Sequence, residues 1–368
     1  MSGAPPSADD LLAAPRGRRL CLEIAIAAST ELWSLVLDAE RAFHADDGSV
    51  VRLWSGAGDA GPMPAAAEPA AVSQAIDGIA VSALDGLLAD DAAVLACFGA
   101  TVDSAMYWQP PAARDVLIAL PELRRSLRRV AGRLAASGLL AEWSAPADGA
   151  GWRVEFEVEA SDARWPGDPD AVLAAWTDGV LAEESRMRDE IRRNPDARWS
   201  GTWWSCPTNL PETGDAVAGT PCGLALVEDE LGWTRALVTS ARGVGRVLEL
   251  DEAAWIELCR RHPLDVSASR QGDWGRTTGR TGAWVLPDWH AVAAEWDAVH
   301  LSIAQYLVLA GRALPVDSER ASVVAGWGPG ITRWLHGRVR LTGEPARWTR
   351  ENAGSAGEPW ALSAPPQG

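Results

Sequence analysis

GWRVEFEVEA, residues 151–160, sets Val154, Phe156 and Val158 against Arg153, Glu155, Glu157 and Glu159. Such two-residue alternation is what a half-buried strand requires, because successive side chains leave opposite faces. The next stretch, DPDAVLAAWTDGVLAEESRMRDEIRRNP (168–195), changes to a helical period. Asp168 is placed to cap it, Pro169 takes the first turn and Pro195 ends it. Val172, Trp176, Val180, Met187 and Ile191 predict its buried stripe, with Glu184–Arg188 and Asp189–Arg193 as exposed pairs. Strand and helix follow one another here without strict alternation along the rest of the chain. That pattern predicts an α+β fold of two lobes, with mixed, mostly antiparallel sheets and packed helices.

Working outward from this stretch, RLCLEIAIAA (19–28) reads as a buried strand and ELWSLVLDAERAFHA as a helix capped by Ser29 or Thr30. GSVVRLWS (48–55) reads as a second strand, and 81–107 and 113–119 as helical segments. Pro121 starts a helix with Leu123, Leu127, Val130, Ala131 and Leu134 on one face. Arg124, Arg125, Arg128, Arg129 and Arg133 take the other face, either as solvated partners for carboxylates or as a surface for an acidic protein. On the C-terminal side, TWW (202–204), GLALVEDE paired with TRALVTSA, RVLEL, LDVSAS, AWVLP and ASVVAGW read as strands. Asp251 and Asp288 cap helices, ITRWLHGRV is a short helix, and 298–304 is a strand or a continuation of the helix before it. The expected organisation is a flexible N-terminus (1–15), an α+β domain (16–165), a connecting helix (166–195), a second α+β domain (196–350) and a disordered tail (351–368).

Composition removes several function classes. All 33 basic residues are Arg, because the chain has no Lys. Schiff-base chemistry, a Walker P-loop and a protein-kinase site each need a lysine and are excluded. A net charge of −17 argues against nucleic acid as a partner, and no apolar run approaches membrane-spanning length. Cys21, Cys97, Cys206, Cys222 and Cys259 are odd in number and lack metal-type spacing. They predict reduced thiols and a cytoplasmic protein, although Cys206 and Cys222 flank a loop that a bridge could close. Gly56, Gly58 and Gly61 have dinucleotide-fingerprint spacing, but Pro62 and Pro64 break the helix it must open. The five histidines are too dispersed for a metal site, and none is predicted.

Three stretches remain as candidates. RWSGTWWSCP (198–207) holds three of the 20 tryptophans, and its sequence neighbours are Ser, Thr and Cys rather than the acids and amides of a ligand platform. Core filling is therefore expected there. SRQGDWGRTTGRTG (269–282) lies between two strand-like segments and gathers Arg270, Arg276 and Arg280 among glycines and threonines, with Asp273 to orient one of them. Guanidinium forks and glycine-exposed N–H groups suit an anion, while an exposed hairpin would carry the same residues. In WDAVHLS (296–302), Asp297 and His300 are candidate catalytic groups for general-base chemistry, against a packed histidine beside a capped helix.

The blocks ASRQGDW, PDWHAVAAEWDAVHLSIAQYL and VVAGWGPGITRWL, and more faintly SAMYWQPP, resemble an uncharacterised protein family of high-GC, actinobacterial-type bacteria. That family has no established activity, so the resemblance implies no site residues. Its acidic loop is replaced here by GWGPG. The sequence thus leads to an anionic or nucleotide-like small molecule bound in the C-terminal domain, by a metal-independent transferase or hydrolase if the protein is an enzyme. No motif demands a cofactor, and NAD is the first to try. The competing expectation is a non-catalytic immunity or regulatory protein that binds another protein.

Overall fold

Pro15 occupies the first turn of a helix, Pro15–Ala27, around which the first half of the molecule is organised. The structure, a computed structural model, describes residues 4–44, 67–157, 167–195, 200–351 and 359–363. Leu20, Cys21, Leu22, Ile24 and Ala25 are all inaccessible on this helix. The expected strand at 19–28 is therefore a helix, buried on nearly every side because other helices enclose it, its charged Arg16, Arg19 and Glu23 included. Those neighbours are Asp91–Asp103, Ala113–Ala119, Pro121–Ala136 and, from the far end of the chain, Ile303–Leu309. Part of the expected flexible lead-in is helical too. Ser7 caps the helix Ala8–Ala13, which buries Leu11 and Leu12. The strand expected at 48–55, the Gly56–Gly61 loop and most of the 351–368 tail lie outside the described residues, while Ala361–Leu362 forms a strand.

On the Pro121–Ala136 helix the five hydrophobic residues named above are buried as expected. Its arginine face answers carboxylates and carbonyls, with Arg128 on Asp9 and Arg133 on Asp85, each at 2.5 Å.

The strand Ala150–Phe156 leaves this helical part and enters the middle of the C-terminal sheet. It lies between Arg235–Gly243 and Glu212–Gly214, antiparallel to both, with Val154 opposite Val238. Beyond Glu212–Gly214 come Ile331–Trp334, Ala298–Leu301 and Val247–Glu249, the last pair being parallel. On the other side Ala346–Thr349, Val339–Leu341 and Ala361–Leu362 complete the sheet. A four-stranded sheet holds Leu314–Pro315, Arg320–Ser322, Ala283–Pro287 and Pro263–Asp265. The α+β class is as the sequence predicts, and one continuous apolar core runs from Leu20 and Phe98 through Trp143 to Trp284 and Trp289.

Several short segments differ from expectation. ITRW is a strand, Ile331–Trp334, because it lies centrally with both faces covered and so shows no alternation. GLALVEDE contributes only the turn of helix Cys222–Ala225, and LDVSAS is a strand, Pro263–Asp265, leading into a helix. Residues 298–304 hold both alternatives in turn: the strand Ala298–Leu301, then Ser302 capping the helix Ile303–Leu309. TWW is irregular chain, not a strand. The long helix Pro169–Arg193 is capped by Asp168 as expected, but Arg193 pairs with Glu190 rather than Asp189.

Candidate functional site

The glycine-rich stretch 269–282 is neither loop nor hairpin; most of it is the helix Ser267–Thr278, ended by Gly279 at φ +71°. The Glu184 carboxylate of the long helix receives the N–H groups of Ala268 (2.9 Å) and Ser269 (2.8 Å), which fixes this start. Trp274 anchors the other end of the buried face, wholly inaccessible. Helical spacing joins Asp273 to Arg276 and gives Arg270 and Arg280 other partners. Arg270 is fully buried and bonds Glu183 at 3.0 Å. Asp273, equally buried, accepts from Arg276 at 2.6 Å and from the Gly201 N–H at 3.0 Å. Arg280 lies beyond the helix, donating to the carbonyls of Ala283 and Glu319 and stacking over Trp284 at 4.9 Å. These side chains do not converge on a hollow.

His300 and Asp297 are also apart in role. The His300 imidazole is inaccessible and clamped between carboxylates, Nδ1 to Glu249 at 2.6 Å and Nε2 to Asp215 at 3.2 Å. Burial works against its charge, but Asp215 and Glu249 outweigh burial and lift its pKa to about 9. An imidazolium at neutral pH is a poor general base. It is a good cross-link: the clamp joins Val247–Glu249, Ala298–Leu301 and the turn after Glu212–Gly214. Asp297 instead accepts from the Arg246 N–H at 2.7 Å.

What the buried network of the 267–278 helix does hold is the tryptophan segment. Asp273 takes the Gly201 N–H, Glu183 takes the Thr202 N–H at 3.3 Å, and Trp274 donates to the Trp203 carbonyl at 2.9 Å. Ser205 is locked to Ala325 in both directions, and Trp289 donates to the Ser205 carbonyl at 2.9 Å. Trp203 is thereby buried while Trp204 stays 37% exposed, their rings 5.1 Å apart. Gly326, at φ +73°, leaves the space the Trp204 ring occupies; a methyl group there would collide with it.

These two rings form one wall of a cleft of about 380 Å³. Phe156 and Trp233, stacked 4.2 Å apart, form another. Glu212, Glu228 and Asp229 also line it, with Arg333 as the lone basic residue among the described lining. Arg333 and Glu212 are cross-strand neighbours and pair at 3.3 Å, so that carboxylate is neutralised. Asp229 sits at φ +49°, a conformation its short polar side chain tolerates, and accepts from Trp108 at 2.8 Å.

Glu228 accepts the Gly326 N–H at 2.7 Å through Oε2, while Oε1 is shielded from solvent and completes no hydrogen bond. The hydroxyls of Tyr107 and Tyr306 are in the same condition. Burial raises the Glu228 pKa to about 7, against the opposing pull of Tyr306, the Gly326 N–H, Tyr107 and Arg16. A group poised between charge states at neutrality, on the wall of a hollow, is a recognised mark of a working site.

Comparison with protein-family models, with curated proteins and with solved structures found no match for this chain. The site therefore rests on its own chemistry. Sequence reasoning passed over Trp203 and Trp204 because their acids lie elsewhere in the chain, at 212, 228 and 229. The helpful signal was GWGPG, whose Gly326 and Gly328 border the cleft.

Proposed function

We propose that this protein binds a small organic cation, an alkylammonium or guanidinium group, in the aromatic and acidic cleft. One observation carries the reading: four aromatic rings and three carboxylates line one hollow in which Arg333, the one basic residue among the described lining, is already paired. Aromatic faces attract a cation through the ring quadrupole, most strongly when water is excluded, and a carboxylate supplies the counter-charge. The hollow has the volume of a small-ligand pocket. The chain's net charge of −17 adds long-range attraction for cations and opposes anions at the same place.

The experiment is calorimetric titration with choline, tetramethylammonium and agmatine, beside 3,3-dimethylbutanol as the uncharged shape of choline and N-acetylglucosamine as a neutral ring. We expect a cation to bind at least about tenfold more tightly than its neutral isostere. Affinity should rise from pH 6 to pH 8, as Glu228, whose pKa lies at about 7, loses its proton. Equal binding of the neutral isostere, or a response to the sugar alone, overturns the reading.

A further inference from the structure

A second hollow, of about 410 Å³, lies where the first half of the chain meets the end of the Ser267–Thr278 helix. Its chemistry is opposite in sign. Arg16, Arg18 and Arg312 line it, with Asp115 as the carboxylate among the described lining. Asp115 is divided between Arg16 at 2.8 Å and Arg19 at 3.3 Å, so it leaves little for the others. Arg312 is held by Glu252 at 3.0 Å.

Arg18 differs from both. Its Nη1 donates only to the carbonyls of Leu12 (3.1 Å) and Ala13 (3.0 Å), and its Nε is shielded from water with no acceptor. Arg16, 4% exposed, likewise keeps an Nε without a partner. Burial, then the like charge of Arg124, with Arg16 and Arg312 adding to it, outweigh the attraction of Asp115 and push the Arg18 pKa down to about 10. Buried cations are ordinarily paired. Here a guanidinium hydrogen-bonded to carbonyls alone stands at the edge of a cavity, and the carboxylate near it, Asp115, is already shared by Arg16 and Arg19. Thr277 and Thr278 border the same space, but their hydroxyls already donate to backbone carbonyls at 2.9 and 2.6 Å.

We infer that this hollow is an anion site, in which Arg18, supported by Arg16 and Arg312, receives the phosphate or carboxylate group of a small molecule. Such an oxyanion supplies the counter-charge that the cluster lacks, and guanidinium groups lining a hollow recognise either group through charge-assisted hydrogen bonds. The anionic ligand expected from the 269–282 stretch is thereby placed at Arg16 and Arg18, far away near the start of the chain, and at Arg312, with Thr277 and Thr278 as that stretch's share of the wall. The inference uses none of the residues of the aromatic cleft and stands or falls separately from it.

The test is thermal unfolding and calorimetric titration of the full chain with phosphate, pyrophosphate, malonate and NAD, each against sodium chloride at matched ionic strength. A saturable rise in melting temperature beyond chloride is expected. A response to phosphate and pyrophosphate but not malonate assigns a phosphoryl group, and the converse a carboxylate. NAD alone would assign a dinucleotide. Arg18→Gln should lose about tenfold or more in anion affinity, and its ligand-free form should melt higher than the parent, because an unpaired charge has gone. Arg124→Gln, on an exposed position that cannot disturb folding, should weaken anion binding about two- to threefold. Arg192→Gln, far out on the long helix, should change nothing. No anion exceeding chloride, or an unaltered response in Arg18→Gln and Arg124→Gln, overturns the inference.

Discussion

Glu228 and His300 are both titratable groups with their polar atoms taken out of water, and their surroundings treat them in opposite ways. His300 has a carboxylate on each ring nitrogen, and its charge is stabilised. Glu228 has one backbone N–H, and burial outweighs the help it gets from Tyr306, Tyr107 and Arg16, so its charge is disfavoured. The first arrangement is complete and holds strands together. The second is unfinished, and it faces a cleft lined with indole rings. Burial of a titratable side chain thus says little about function; whether its charge has been answered says more. The same distinction separates Arg270, paired with Glu183, from Arg18, which has carbonyls alone.

Removing the answered charge should cost most. His300→Gln leaves Asp215 and Glu249 with no cation between them, and we expect a loss of about 3 kcal/mol in urea unfolding at pH 7. An unchanged midpoint would mean that the clamp contributes nothing. Glu228→Gln should act in the other direction. It keeps an acceptor for Gly326 and removes a disfavoured charge, so stability at pH 8 should rise by about 2 kcal/mol. The gain should vanish below pH 4.5, where the parent carboxyl becomes protonated in both states, and cation binding should be lost.

The pH dependence of the parent joins these two effects, and the signs agree. His300 has a folded pKa of about 9 against 6.5 unfolded, so its contribution is whole below 6.5 and disappears as pH rises through 9. Glu228 has a folded pKa of about 7 against 4.5, so its penalty grows as pH rises between those values. Each should lower stability with a slope of up to about 1.4 kcal/mol per pH unit in its own window. The Glu228→Gln curve should flatten below pH 7 and the His300→Gln curve above 6.5; a parent curve flat from pH 5 to 9 contradicts both assignments. Smallest in stability is Trp204→Ala. A ring 37% exposed should cost about 1 kcal/mol or less when removed, while cation affinity falls about tenfold. Loss of stability without loss of affinity would return Trp204 to a packing role.

Some of this was open to reading residue by residue. Val154 and Phe156 alternate with charged neighbours, so their strand was plain, and Asp168 with Pro169 marked the long helix. The run at 19–28 misled because a segment buried on all sides has no period to show. In 269–282 the glycines and threonines suggested a loop. The helix exists because Glu184, some 85 residues earlier, caps its start, and because Trp274 fills the core.

By itself the sequence determined the fold class, a strand within 151–160, the long helix and the chemistry that a chain without lysine cannot perform. Those properties are local or compositional, and each is carried by neighbouring residues or by a count. Only the tertiary structure decided which charges meet. It set Glu212, Glu228 and Asp229 beside Trp203 and Trp204, gave His300 two carboxylates and left Arg18 hydrogen-bonded to carbonyls alone. The physical reason is that electrostatic interaction depends on distance and dielectric between groups, and the chain fixes neither until it has packed.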